Sequence, residues 1–498
     1  MPPESLASLS PQDAWRALPA AQWDEAAARH LLQRLGFGAD PAELDRARRD
    51  GPVATVQRYF ARMPELPKPR LIAELEAAAP EMGRRIAGGD PQQRRLAAQD
   101  ARERSREALF DLTIKWLQLA AQPAHGPAEK WLLFLSDIWV VGVQKVKNSA
   151  LIYQHQDILR RHALGPAPQL AKAVSRSPAM IVYLDLQQSR RDAPNENFAR
   201  ELFELFTLGE GHYTENDIKQ AARAFTGYRQ RLGQFQFAPR QHDDGSKTVF
   251  GRKGAFDGDG VIDLVYRQPA AGTFLPKEMV RFYLSDTPLP EAYTDVLGAA
   301  WARTGHDLRE LAVGFFSSRV FFAREFRGGF IKSPVHFYLG LVQDLGLSVA
   351  PLPRQVIGTL RQMGQMPFDP PNVRGWVGGR NWINSATLAA RRQLINGLLQ
   401  PLNENALNGD EQIELAAAYA EGVRHFTLDP ARLADWARQP AAPRARLLAQ
   451  RYLPEIVGTG LEHQLAAYLE RGGEHGRAEA ATRAALATLL ESPGYQLC

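Results

Sequence analysis

Thiols are almost missing from this chain. Its single cysteine, Cys498, excludes an intrachain disulfide and a cluster of thiolate metal ligands. Long apolar runs are missing too, since nothing approaches the roughly 18 consecutive apolar residues of a membrane helix. The opening MPPESLASLSPQDAWRALPA has no basic segment followed by an uninterrupted apolar one. The chain as it stands is therefore expected to be cytoplasmic, with no membrane implied. A charge excess is lacking as well: 60 Lys and Arg against 55 Asp and Glu leave +5 on 498 residues, which implies no nucleic-acid partner. The arginines at 94, 95, 102, 104 and 106 are interrupted by acids and read as a solvated helix face. There is no Walker loop, no dinucleotide fingerprint after a strand, no HExxH and no GxSxG, so nucleotide, flavin and serine-hydrolase chemistry are disfavoured.

What is present is an ordinary globular composition, 45% hydrophobic and 23% charged. The length predicts more than one lobe: a helical core over 1–400, divided near 190, and a C-terminal helical segment over 401–498. WDEAAARHLLQRLGFGAD reads as an amphipathic opening helix stopped at Gly36, and 61–92 as a proline- and glycine-rich linker. A long helix over 93–121 follows, buried from Leu112 to Leu119, and then a central helix in EKWLLFLSDIWVVGVQKV. A strand at 180–186 stays open. Helical spacing of three and four recurs from 261 to 400, whereas RLGQFQFAP alternates before a glycine turn. The fold class is mainly α, an irregular multi-helix globular fold with a small β or irregular insertion near 230–256.

Chemistry concentrates first in APNENFARELFELFTLG, where Pro194 suits a helix start and Gly209 a helix end. At about 100° per residue, Glu196, Asn197, Arg200, Glu201 and Glu204 share one arc and the apolar residues the other. On a solvated face, Glu196 with Arg200 and Arg200 with Glu204 are simple i,i+4 pairs. Facing another segment, Glu201 and Glu204 are half a site for a hard divalent cation, or an acid–base pair oriented by Arg200. RQHDDGSKT would supply the rest through His242 and Asp243, with Glu201, Glu204 and His242 as metal candidates, although Asp-Asp-Gly is also a good turn. A third segment, DPPNVRGWVGGRNWINSAT, places Trp376 and Trp382 to stack on a flat ring and Arg374 and Arg380 to meet an anion; a buttress between lobes explains the same residues. FDGDGVID is read as a helix capped by Asp259, and KSPVHFYLG as a capped helix holding a satisfied His336.

These segments, in this order, resemble a known family. AARHLLQRLGFG, SRSPAMIVYLDLQQSR, PNENFARELFELFTLGEGHYTENDIKQAARAFTGY, HDDGSKTVFGRKGAFDGDGVID and the 369–387 loop are similar to the signature segments of domain of unknown function 1800. The resemblance implies a bacterial family of unestablished activity, often exported, frequently encoded beside a sulfatase-like protein that stands as the candidate partner. Relatives tend to carry a tryptophan and two histidines in a motif like FWHNHF. Here the residues are Phe134, Leu135, Ser136, Asp137, Ile138 and Trp139, so any metal bound by those histidines would have lost its ligands. Together the residues and the resemblance lead to an expected hydrolase- or transferase-like enzyme or ligand-binding protein for a polar or anionic substrate. The alternative is a non-catalytic scaffold with internal ion-pair networks.

Overall fold

The computed structural model describes residues 3–88, 90–453 and 460–498. Helices dominate it, and the strands form two small antiparallel hairpins. Tyr228–Arg231 pairs with Gln234–Phe237, and Lys247–Val249 with Arg252–Gly254. Both turn through two residues of positive φ, Leu232–Gly233 and Phe250–Gly251, the backbone that matches strand twist in a tight hairpin. None of the helices among the described residues is long and apolar enough to cross a membrane.

A contiguous apolar core draws on residues from Leu9 to Tyr495. At its centre lies the helix Gly126–Ile138, whose residues 130–135 are all buried because nearly every position is apolar. The helix Pro91–Ala120 starts from a reciprocal cap between Asp90 and Gln93 and enters the core at Ala108 and Leu109; most of the run from Leu112 to Leu119 is buried, as its sequence predicts. A separate small cluster of Leu352, Leu407, Leu415 and Phe426 sits under the helix Gly409–Ala420.

Basic side chains close several helix ends from inside. Lys130 donates to the Arg34 and Gly36 carbonyls, 2.7 and 2.8 Å away, at the end of Glu25–Leu35. Arg451 and Arg432 donate to the Asp344 and Leu345 carbonyls at the end of Pro334–Leu345. These are the carbonyls a helix cannot satisfy internally, and a cation there also suits the helix dipole. Burial holds Lys130 down to about 7.

Several expectations change. Gly36 is not a left-handed stop, having φ −105°; a Cβ there would lie 2.9 Å from the Leu32 carbonyl, so the glycine serves close packing. The expected linker is largely the helix Arg70–Gly88, which accommodates Pro80 and carries buried Ile72; Gly89 lies outside the described residues. Residues Pro178–Tyr183 are helical, not extended. Asp257 and not Asp259 caps Gly258–Val265, while Asp259 pairs with Arg176 at 2.7 Å. Ser333 does cap its helix, and buried His336 has Nδ1 3.2 Å from Lys130 Nζ and a further backbone contact at Phe37.

Candidate functional site

The helix carrying the predicted polar arc begins at Asn197 instead of directly after Pro194, because Asn195 turns the chain: its side chain accepts the Asn197 N–H at 2.9 Å. Asn197 itself reaches inward, its amide 3.4 Å from the Leu184 carbonyl. After Glu201 the winding widens into a π-helix, Leu202–Thr207, with Leu208 N–H donating to the Phe203 carbonyl at 2.9 Å before Gly209 takes φ +85°. The wider turn carries Glu204 off the line through Glu196 and Arg200.

The expected Arg200–Glu204 pair is therefore absent. Arg200 forms a two-pronged bond to Glu215, 2.8 and 2.9 Å, and a longer one to Glu196 at 3.2 Å. Those contacts raise the Arg200 guanidinium and hold the Glu215 carboxyl below the usual range. Glu204 instead accepts from Tyr213 Oη and from Arg374, both at 2.9 Å, and Arg374 also meets Glu210 at 3.1 Å. The helix and the glycine-rich loop do come together, through Arg374. Burial and the Glu204 contact push the Tyr213 phenol up to about 12.

Glu201 differs from its neighbours. It is half-buried and takes part in no hydrogen bond or ion pair among the described residues. Burial, then the Glu204 charge, raises its carboxyl against the opposing pull of Arg374 and Arg200. The Tyr183 phenol is raised by burial and by the charges of Glu201 and Asp369. Asp369 lines a cleft of about 1190 Å³, accepts a 3.0 Å bond from Gln144 on the same wall, and keeps its other oxygen buried and unpartnered. Tyr183 is thus a neighbour common to Glu201 and Asp369, although Glu201 itself is not among the residues that line this cleft.

His242 and Asp243 do not join this group. Asp243 grips Arg223 at 2.6 and 3.1 Å, which holds its carboxyl low, and His242 Nδ1 meets the Thr226 carbonyl at 2.8 Å. Buried Lys247 ties the same turn through the Asp243 and Gly245 carbonyls. Arg223 and the Arg200 partner Glu215 stand at opposite ends of the helix Glu215–Ala224, about 12 Å apart at 1.5 Å per residue. Among the described residues no three His, Cys, Asp or Glu side chains gather as a metal site.

The 372–384 loop is seated over two carboxylates. Trp376 N–H donates to Asp137 at 2.8 Å, and Arg281 approaches Asp137 at 3.5 Å while holding Glu278 at 2.7 Å. Gly375, at φ +74°, lies so close that a Cβ would fall 2.1 Å from an Asp137 oxygen; Gly379 sits likewise on Asp286. Asp137 is 5% exposed, and burial raises its carboxyl to about 6 despite Arg281. Trp376 and Trp382 are 7% and 8% exposed, so both indoles buttress the loop, whereas Arg374 and Arg380 lie at its surface.

The family model described as "Protein of unknown function (DUF1800)" matches residues 30–497. The chain belongs to this family. Comparison with curated proteins and with solved structures returns no match. In this family member the positions 135–138 hold no histidine. Ser136 bonds Leu132 and Gln156 inside the core, and Asp137 anchors the loop. The residues missed from sequence were Asp137, Tyr183, Glu210, Tyr213, Glu215 and Arg281. Of these, Asp137 carried a signal, as an acid within an otherwise apolar central helix.

Proposed function

We propose that this chain binds an extended polar ligand along the 1190 Å³ cleft and exposes it to an acid–base group formed by Glu201, Glu204 and Arg374, in the manner of a hydrolase or transferase. The observation that carries this reading is Glu201. A half-buried carboxyl with no partner and a raised proton affinity costs stability, and such groups concentrate where protons are exchanged. With it, Glu204 and Glu210 outnumber Arg374, which among the described residues is the cation left to this group because Arg200 is held by Glu215 and Glu196. That balance favours hydroxyl or amine groups over an anionic substrate.

The scaffold reading draws its own support from the closed Arg200–Glu215 and Arg223–Asp243 pairs. The two are separated by a thermal-shift series with maltohexaose, spermidine and heparin on the parent and on Glu201→Gln. A rise with maltohexaose or spermidine that vanishes in the variant supports the site. No response to either, or a response to heparin alone, supports the scaffold.

A further inference from the structure

A second cavity, of about 580 Å³, opens between the helices Pro353–Met363 and Ser385–Leu399 beneath the chain that follows residue 400. Its volume falls in the range of small-molecule sites. The segment 350–354 divides it from the larger cleft, and Arg354 lines both. Aliphatic side chains such as Leu394, Leu398 and Leu402 make its surface, and neutral amides such as Gln355, Gln362 and Gln393 are set among them. Arg354 is the one formally charged residue of the lining, and it has no hydrogen bond or ion pair among the described residues.

Two glycines give an independent indication. Gly358 and Gly397 lie inside the two facing helices and both line the cavity. Glycine weakens a helix interior relative to alanine, so it usually answers a local need. At Gly272 and Gly298 the need is visible: each faces the other's backbone, with a Cβ at 298 falling 2.5 Å from the Gly272 carbonyl. Gly358 and Gly397 have no positive φ, and a Cβ at either would meet nothing within 4 Å. The protein's own packing does not call for glycine at these two places. Both keep volume free in the same cavity.

We infer that this cavity binds a single-chain amphiphile with one anionic head, its apolar body lying across Gly358 and Gly397 and its head meeting Arg354. The lining supplies apolar area for a chain, amides for the water-facing edge, and a lone cation for one carboxylate. A polyanion would find one cation only, and a cationic amphiphile would find no carboxylate in this lining to balance it.

The test uses the full chain and 1-anilinonaphthalene-8-sulfonate fluorescence, with displacement by dodecanoate, dodecyltrimethylammonium and phosphatidylglycerol vesicles. Dodecanoate is expected to displace the probe and the cationic amphiphile to fail. Gly358→Leu and Gly397→Leu should keep or raise the melting temperature, since leucine is the better helix former, while weakening dodecanoate by about tenfold or more. Arg354→Gln should weaken dodecanoate by about tenfold and leave the melting temperature unchanged. Gly314→Leu, at another open helical glycine outside this lining, should leave binding intact. Equal displacement by both amphiphiles, displacement by vesicles but not by dodecanoate, or unaltered affinity in the well-folded leucine variants would overturn the assignment.

Discussion

Asp137 offers the sharpest test of the electrostatics, because burial and a nearby cation pull its carboxyl in opposite directions. Burial is the larger effect, and the group rises from 3.8 to about 6. At 1.36 kcal/mol per pKa unit, the difference amounts to about 3 kcal/mol. In the window between the two values the folded state binds the extra proton, so the contribution of Asp137 is complete below about pH 4 and is lost as pH rises through about 6. The parent's own pH profile conceals this. His155, buried between Ser177 and the Trp139 carbonyl, is held down to about 4, and its contribution grows by a similar amount as pH rises through the same window. The informative quantity is the difference between the parent and Asp137→Asn, in which His155 cancels. Urea unfolding at steps from pH 3.5 to 7.5 should show the parent losing about 3 kcal/mol relative to the variant, with the change confined to about pH 4–6. A constant difference across that range would mean that Asp137 has the same proton affinity folded and unfolded, with Arg281, 3.5 Å away, and the Trp376 N–H offsetting burial.

Three other outcomes follow from named contacts. Glu201→Gln should keep or raise the melting temperature at pH 7.5, since it removes a charge the fold disfavours; a clear loss would show that Glu201 is held by an ion pair. Gly375→Ala should cost more than about 2 kcal/mol by denaturant melt, because strain and a Cβ 2.1 Å from Asp137 act together, whereas Gly251→Ala, at φ +73° in open space, should cost only about 1–2 from backbone strain; equal costs would remove the loop-seating argument. Glu129 is fully buried, bonded to Arg160 by both oxygens and to the Trp116 indole, so Glu129→Gln should cost roughly 3–5 kcal/mol, against under about 1 for Glu196→Gln on the partly exposed Arg200; similar losses in both would contradict the burial argument.

Much of the fold was legible because it rests on local rules. The 91–120 helix shows its buried half in the apolar run from Leu112 to Leu119, whereas its cap at Asp90 lay inside the expected linker. The two hairpins fall where alternation and glycine turns replace helical spacing. Less legible were places where one residue type has several uses. Gly36 has the look of a helix stop, yet its glycine character answers the Leu32 carbonyl and Pro127; Pro80 has the look of a linker residue, yet sits inside a helix. Asp257 and Asp259 are equally good caps by type, and only Arg176, far off in sequence, draws Asp259 away.

The candidate site failed to be fully legible for a different reason, namely that helical spacing assumes a uniform helix. Projected at 100° per residue, Glu196, Arg200 and Glu204 are one ladder. The π-turn beginning at Leu202 ends that ladder after Arg200, and each acid then takes the partner its new direction reaches. Arg200 turns to Glu215 and Glu204 to Tyr213 and Arg374, which leaves Glu201, at the junction between the two windings, with neither. Had the α-helix continued, Arg200 would stand between Glu196 and Glu204, and the arc would be the solvated ion-pair face that its composition suggests. The irregular turn is therefore what converts a common surface pattern into an uncompensated carboxyl beside the glycine-rich loop. That loop can meet the helix through Arg374 only because Gly375 and Gly379 let it settle onto Asp137 and Asp286. Helix irregularity and glycine seating are joint conditions for the proposed site, so a change that releases the loop from Asp137 should alter the Arg374 contacts without touching any of the glutamates.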